Sequence, residues 1–247
     1  MKSKEEYSEV KVESEQHARR TLLSDFILGS QDGLVNVLGI ILGMSAATQN
    51  LRLIFVATLA ALGAESVSMG AVAYTSTASR RRLYLREMER EKREMRDVPD
   101  QEQHEVLQIL KGWGYKGEEL DKMMRLIAAN PKAMLEFMMS YELELAPVGE
   151  NEARRSFLTV LASTLLGSFI PIIPFLFVGG NVMARAVGSV VISGAALFII
   201  GWFGAKATTG SLWKNGLQMA AIGLAAGIAG FLIGYFLGAT PRLCSNR

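Results

Sequence analysis

Hydrophobic residues along this chain gather into five long blocks, approximately Phe26–Ala47, Leu53–Ala78, Phe157–Val178, Val182–Phe203 and Leu212–Leu237. A bilayer core of about 30 Å needs about 20 residues of helix, and each block reaches that length. Most charged residues fall instead in 1–24 and 80–155. The pattern predicts an all-α membrane protein of five transmembrane helices, with a small helical domain inserted between spans two and three. The expected divisions are a tail at 1–24, spans one and two in 25–79, the insertion at 80–151, spans three to five in 152–238, and a second tail at 239–247.

Span two has no obvious stop at the membrane. Ala78 to Met95 contains no Gly or Pro and is rich in strong helix formers, so one helix is expected to run on beyond the bilayer. Asp97-Val98-Pro99 ends it and opens another, with Asp97 as cap and Pro99 in the first turn, covering about 100–111 and stopping at Gly112-Trp113-Gly114. A third helix is expected over about 117–129. Asn130-Pro131 starts a fourth that continues to about Leu145, before Pro147 and Gly149. In span three, Pro171 and Pro174 should bend the helix or unwind its last turns. Span five repeats glycine at Gly223, Gly227, Gly230, Gly234 and Gly238, a spacing that lets helix backbones approach closely inside the protomer.

The formal net charge of +2 conceals a strong asymmetry. Lys2, Lys4, Lys11, Arg19, Arg20, Arg80, Arg81, Arg82, Arg86, Arg154, Arg155, Lys206 and Lys214 would lie on one side of the membrane. Arg52, Arg185, Arg242 and Arg247 would lie on the other. By the positive-inside rule the N-terminus and the 80–151 domain are cytoplasmic, and the odd number of spans puts the C-terminus outside or in a lumen. The first 24 residues lack the apolar core of a secretory signal, so span one itself directs insertion. Cys244 is the only cysteine, which excludes an intramolecular disulfide and a cage of several thiolates.

Asp32 lies inside the first apolar block, where an ionised Asp costs about 2.5–3.5 kcal/mol even on insertion scales, and such a residue points to function. With Asp25, Gly29, Asn36, Gly39 and Gly43 it forms a stripe at helical spacing, a face suited to another helix or a water-lined path. Asp25 lies about 10 Å away along the axis, near the cytoplasmic mouth, where an N-cap role competes with a place on the path. On span two Glu65 and Met69 share a face. Glu65 is either part of the path or a protonated group that hydrogen-bonds between helices.

The insertion repeats this chemistry. Glu91 with Glu94, and Glu102 with Glu105, each place two carboxylates on one helix face, and Met138, Met139 and Glu142 follow on the fourth helix. Thioether beside carboxylate favours softer first-row metals such as Fe²⁺ over calcium or magnesium. The competing readings make Glu91 and Glu94 part of a solvated charge run with Arg90, Lys92 and Arg93, and make Met138 and Met139 core residues. Di-iron carboxylate oxidases usually need Glu-x-x-His twice, and neither His17 nor His104 has Glu three residues before it, so an enzyme is not expected.

These residues, in this order, resemble the vacuolar iron transporter family, which also includes the yeast calcium-sensitivity-complementing iron and manganese carriers. The resemblance runs from Asp25 to Leu237. It is carried by Asp25-Phe-Ile-Leu-Gly-Ser-Gln-Asp32-Gly-Leu, Ser68-Met69-Gly70, the two spaced glutamate pairs, Phe137-Met138-Met139 with Glu142, and the Pro171/Pro174 pair. It implies a homodimer of five-span protomers whose first spans line a path at the two-fold axis. Asp32 and Met69 would coordinate the ion there, with Asp25 and Glu65 along the route. Glu91, Glu94, Glu102, Glu105, Met138, Met139 and Glu142 would collect metal on the cytoplasmic side. The implied activity is export of Fe²⁺, or of Mn²⁺, from the cytosol across a vacuolar or cell membrane in exchange for protons. The metal is substrate and bound ligand, no catalytic cofactor is implied, and the partners are bilayer, divalent ions and protons but not nucleic acid. In the family's plant members a Glu stands about two turns before the span-two Met, where this chain has Ala61 and offers Glu65 at one turn. The alternatives from other classes are a membrane-anchored metal sensor and a di-iron-type ferroxidase.

Overall fold

Each apolar block forms a helix long enough to span a bilayer, and the polar insertion forms shorter helices of its own. A computed structural model describes the backbone of residues 2–207 and 211–238, and the side chains of 21–206 and 211–238. Its elements are α1 (Lys2–Ala47), α2 (Leu51–Asp97), α3 (Pro99–Gly112), α4 (Gly117–Ala128), α5 (Pro131–Phe137), α6 (Glu152–Phe169), α7 (Ile173–Phe177), α8 (Val182–Ala207) and α9 (Leu212–Gly238). A π-helical turn covers Met138–Glu142 and a 3₁₀ turn covers Ile170–Ile172. Among the described residues, five helices are long and apolar enough to cross a membrane, within Thr21–Ala47, Leu51–Asp97, Glu152–Phe177, Val182–Lys206 and Leu212–Gly238. The tail 239–247, with Arg242, Cys244 and Arg247, lies outside the described residues, as do the side chains of Lys2, Lys4, Lys11, His17, Arg19 and Arg20.

The chain divides into two compact units, Met1–Tyr74 with Arg154–Arg247, and Thr75–Ala153. In the first unit, α1 is the central element. Val37, Leu38, Ile41 and Leu42 pack with Ile54 and Leu62 of α2, Ile172, Phe175 of α7, and Val182 and Ala186 of α8. One turn earlier, Leu34 meets Leu197 and Ala220. The α1–α9 seam depends on glycine. Gly43 faces the backbone of Gly230, where a Cβ would lie 2.9 Å from the carbonyl oxygen, and Gly234 in turn abuts the Gly43 backbone. Hydrocarbon solvates Leu as well as another helix does, so such seams are held by close van der Waals contact that only small residues permit. The glycine repeat of span five therefore packs inside the protomer.

The small-residue stripe of α1 does not face a single neighbour. Gly29 lies against Val160 and Ser163 of α6, Gly43 against α9, and Asn36 between them reaches α2. The backbone of the polar residues before span one continues α1, which is helical from Lys2 onward.

Pro171 and Pro174 interrupt span three as expected. α6 gives way to the 3₁₀ turn and then to α7, because neither proline has an N–H to continue the ladder. Side chains from α8 take up two carbonyls of this stretch: Ser189 Oγ donates to Pro171 O at 2.6 Å, and Arg185 Nη1 donates to Phe175 O at 2.7 Å.

In the second unit, Val106, Leu110, Leu120, Met134 and Met138 form the core. Two sequence expectations need correction here. Val98, not Asp97, occupies the N-cap position of α3, and no side chain caps that end. The helix begun by Asn130, whose Oδ1 accepts from the amides of Lys132 and Ala133, stops at Phe137 and widens into the π turn instead of running to Leu145. Such single-turn π segments occur often at functional sites.

Bulk at the α1–α9 seam should be costly. Gly43→Leu is expected to destabilise the detergent-purified protein by about 1–3 kcal/mol, the range for overpacking a tight interface. Gly63→Ala, on α2 with open space around it, should be neutral or stabilise by up to about 1 kcal/mol. Thermal unfolding of both variants checks the contrast.

Candidate metal sites

The first unit brings Asp32, Asn36 and Glu65 together. The Asn36 amide donates to Glu65 Oε1 across the α1–α2 contact, and the Asp32 carboxyl is within hydrogen-bonding reach of Glu65. Asn36 lies one turn beyond Asp32 on the same face, so α1 presents an acid and an amide to the acid on α2. Both carboxyls are half-buried. Met69 is half-buried one turn after Glu65, as its spacing requires. Asn36 was legible in the sequence only as a member of the stripe, since an amide carries no charge to mark it as out of place. Asp25 has a different setting. It stands well inside α1, which removes the N-cap reading, and accepts a hydrogen bond from Ser156 Oγ of α6 at 2.7 Å.

The second unit contains a tighter group. Carboxylate oxygens of Glu91 and Glu94, near the end of α2, and of Glu102 on α3 all lie within 4.8 Å of one another. Glu91 is 1% exposed and Glu102 2%, so Glu91 does not belong to a solvated charge run, although Glu94 stays partly open. One oxygen of each buried acid, Glu91 Oε2 and Glu102 Oε2, has no hydrogen-bond partner. A buried carboxylate oxygen without a donor costs several kcal/mol unless the group is protonated or a cation takes it up.

Glu105 and Glu142 are close enough to act on the same group electrostatically. Glu102 is pushed from the ordinary 4.5 up to about 7, first by burial and then by the charges of Glu91, Glu105, Glu142 and Glu94. Glu142, though more open to solvent, also rises to about 7, by desolvation and then by Glu105 and Glu91. Glu91 is raised by burial, with Arg90 opposing. Five glutamates thus share one field of like charge. The two methionines are placed differently. Met138 is fully buried in the apolar core beside Val106 and Leu110, the packing role that the sequence left open, and Met139 is buried one residue further into the π turn.

The sequence marks Arg90 only as one cation of a charged run with Lys92 and Arg93, yet it is part of the group. Its guanidinium pairs with Glu87, Glu91 and Glu94. The available signal was the spacing: Glu87 and Glu94 stand three before and four after it on the same helical face.

An oxygen-rich group with orphaned buried oxygens is suited to a divalent cation, and the acid–amide–acid set on α1 and α2 offers the same hard donors within the bilayer. Over residues 23–235 the sequence matches the family model described as VIT family. It is 33% identical over 212 residues to Vacuolar iron transporter 1 of Arabidopsis thaliana, covering 86% of this chain and 84% of that protein. Vacuolar iron transporter 2 of Oryza sativa subsp. japonica is 34% identical over 210 residues, 85% of each chain. Protein CCC1 of Saccharomyces cerevisiae is 26% identical over 221 residues, 86% of this chain and 68% of the yeast protein. The match takes in all five apolar blocks and the insertion between them, and the chain belongs to the VIT family.

Proposed function

We propose that this protein carries Fe²⁺, with Mn²⁺ as a second cargo, out of the cytosol in exchange for protons. The observation that carries the reading is the group of Glu91, Glu94 and Glu102, two of them buried with an unpartnered oxygen each. Arg90 answers only part of this charge, and the two unpartnered oxygens leave the group poised for protons or for a divalent ion. The inserted unit, on the cytoplasmic side, collects metal with Glu91, Glu94, Glu102, Glu105 and Glu142, and Met139, buried in the π turn that ends at Glu142, is the candidate for a softer donor. Asp32, Glu65 and Met69 then hold the ion within the membrane, with Asp25 at the mouth and Asn36 orienting Glu65. Two protomers with their first spans at a common axis complete the path. The C-terminus lies outside or in the lumen of the vacuole. The names of the relatives favour a carrier over a sensor or an oxidase.

Metal and protons compete for the same carboxylate lone pairs, which couples their movements. Metal binds the ionised carboxylates from the cytosol. Once the path opens to the acidic side, protonation weakens coordination and releases the ion.

In vesicles with an imposed pH gradient, Asp32→Ala should lower Fe²⁺ uptake at least about tenfold, the loss expected when a ligand in the path is removed. Undiminished uptake would take Asp32 out of the mechanism. A second expectation comes from the inserted unit. With Glu102 and Glu142 at about 7, metal must displace protons below that pH, so affinity should fall about tenfold per pH unit per displaced proton and level off above 7. Titration calorimetry in several buffers measures both the slope and the protons released.

Stability of the metal-free unit should run the opposite way. Because these folded-state values lie above 4.5, the folded state binds more protons, and stability falls as pH rises from 4.5 to about 7 and is flat beyond. Hydrogen exchange in α3 and α4 with chelator present reports it, and a rise over that interval would contradict the assignment.

A further inference from the structure

Arg90 sits among acids that have unequal need of it. Its Nη1 lies 2.8 Å from Glu87 Oε2, its Nη2 3.2 Å from Glu91 Oε1 and its Nε 3.3 Å from Glu94 Oε2. Glu91 and Glu94 belong to the metal group, whereas Glu87 does not. Glu87 is buried and doubly paired, since Arg86 holds Oε1 at 2.9 Å while Arg90 holds Oε2. Glu91 and Glu102, by contrast, keep one oxygen each without a partner. Arg90 is thus anchored on one side and only partly neutralises the acids on the other. Its side chain is 44% exposed, which leaves room for it to withdraw toward solvent without leaving Glu87.

A divalent ion entering among Glu91, Glu94 and Glu102 finds Glu91 Oε2 and Glu102 Oε2 open but must come up against the guanidinium, which hydrogen-bonds Glu91 Oε1 and lies 3.3 Å from Glu94 Oε2. It also repels the guanidinium. The two cations therefore exclude one another from Glu91 and Glu94, while Glu87, saturated by two arginines, is a poor metal ligand and a good anchor. We propose that Arg90 is a resident counter-cation that competes with metal for Glu91 and Glu94, anchored by Glu87, and so sets the metal concentration at which the inserted unit loads. The inference rests on the reading of the glutamate group as a metal site. Arg90 acts as a positioning residue: in the empty unit it holds repelling carboxylates together, and on loading it yields them. A competitor of this kind keeps the site from retaining metal too tightly to pass it on.

The test is titration of Mn²⁺ into the purified full-length chain, read by calorimetry at one fixed pH. Arg90→Gln should lower the half-saturating Mn²⁺ concentration about five- to tenfold, because two partly exposed ion pairs no longer oppose binding. Glu87→Gln should raise it about threefold, because the released guanidinium charge falls wholly on Glu91 and Glu94, and that rise should vanish in the double variant. Unchanged or weaker binding by Arg90→Gln, with helicity intact, overturns the proposal. If Arg90→Gln does not fold, Glu87→Gln decides alone: a rise supports the competitor and any other result overturns it. If Glu91→Gln with Glu102→Gln leaves the wild-type titration unaltered, the metal-site reading itself fails and the competitor falls with it.

Discussion

Removing a carboxylate from water without giving it a permanent partner is the constraint on which both candidate sites depend. A buried acid must be protonated, paired or metal-bound, and the free-energy gaps among these three states are what couple protons to metal. In the inserted unit Glu91 and Glu102 are buried next to one another, and burial together with like charge lifts Glu102 to about 7. Near that value the proton exchanges readily at neutral pH, which leaves the group open to a metal ion. On α1 and α2 the group is smaller, and Asn36 and Glu65 are joined by a hydrogen bond.

Helix packing makes these placements possible. Acids within a membrane segment can be held at a defined separation only if the backbones around them are fixed, and here α1 is clamped on two sides. Gly29 allows α6 to approach through Ser163 and Val160, and Gly43 allows α9 to approach through Gly230 and Gly234. The prolines of span three add a third constraint by ending α6 before the apolar stretch is finished, and Ser189 and Arg185 of α8 donate to the Pro171 and Phe175 carbonyls of the stretch that follows. Small residues and prolines thus serve the carboxylates indirectly, by determining where the helices can lie.

In the inserted unit an apolar core does the same work. Val106, Leu110, Leu120, Met134 and Met138 hold α3, α4 and α5 together, and the acids of α3 lie on the face turned toward Glu91. Met138 illustrates how one residue type serves two ends: its thioether is soft enough for a transition metal, yet its complete burial among aliphatic side chains is a packing role. The widening of α5 into a π turn at Met138–Glu142 changes where Glu142 points relative to an uninterrupted helix.

The sequence by itself determined the class of molecule, because transfer of apolar residues into a bilayer depends on composition and length, which are local. It also determined the family, the continuity of α2 through Asp97, the break at Pro171 and the helical pairs Glu91/Glu94 and Glu102/Glu105, all of which follow from spacing along one helix. What it left open were questions about neighbours distant in the chain. Only the tertiary structure joined Asn36 to Glu65, set Asp25 against Ser156 instead of at a helix start, buried Glu91 and Glu102 while leaving Glu94 partly exposed, and drew Arg90 into the acids. Periodicity fixes the face a residue shares with its own helix, but the electrostatic state of a carboxylate depends on what another helix brings to that face.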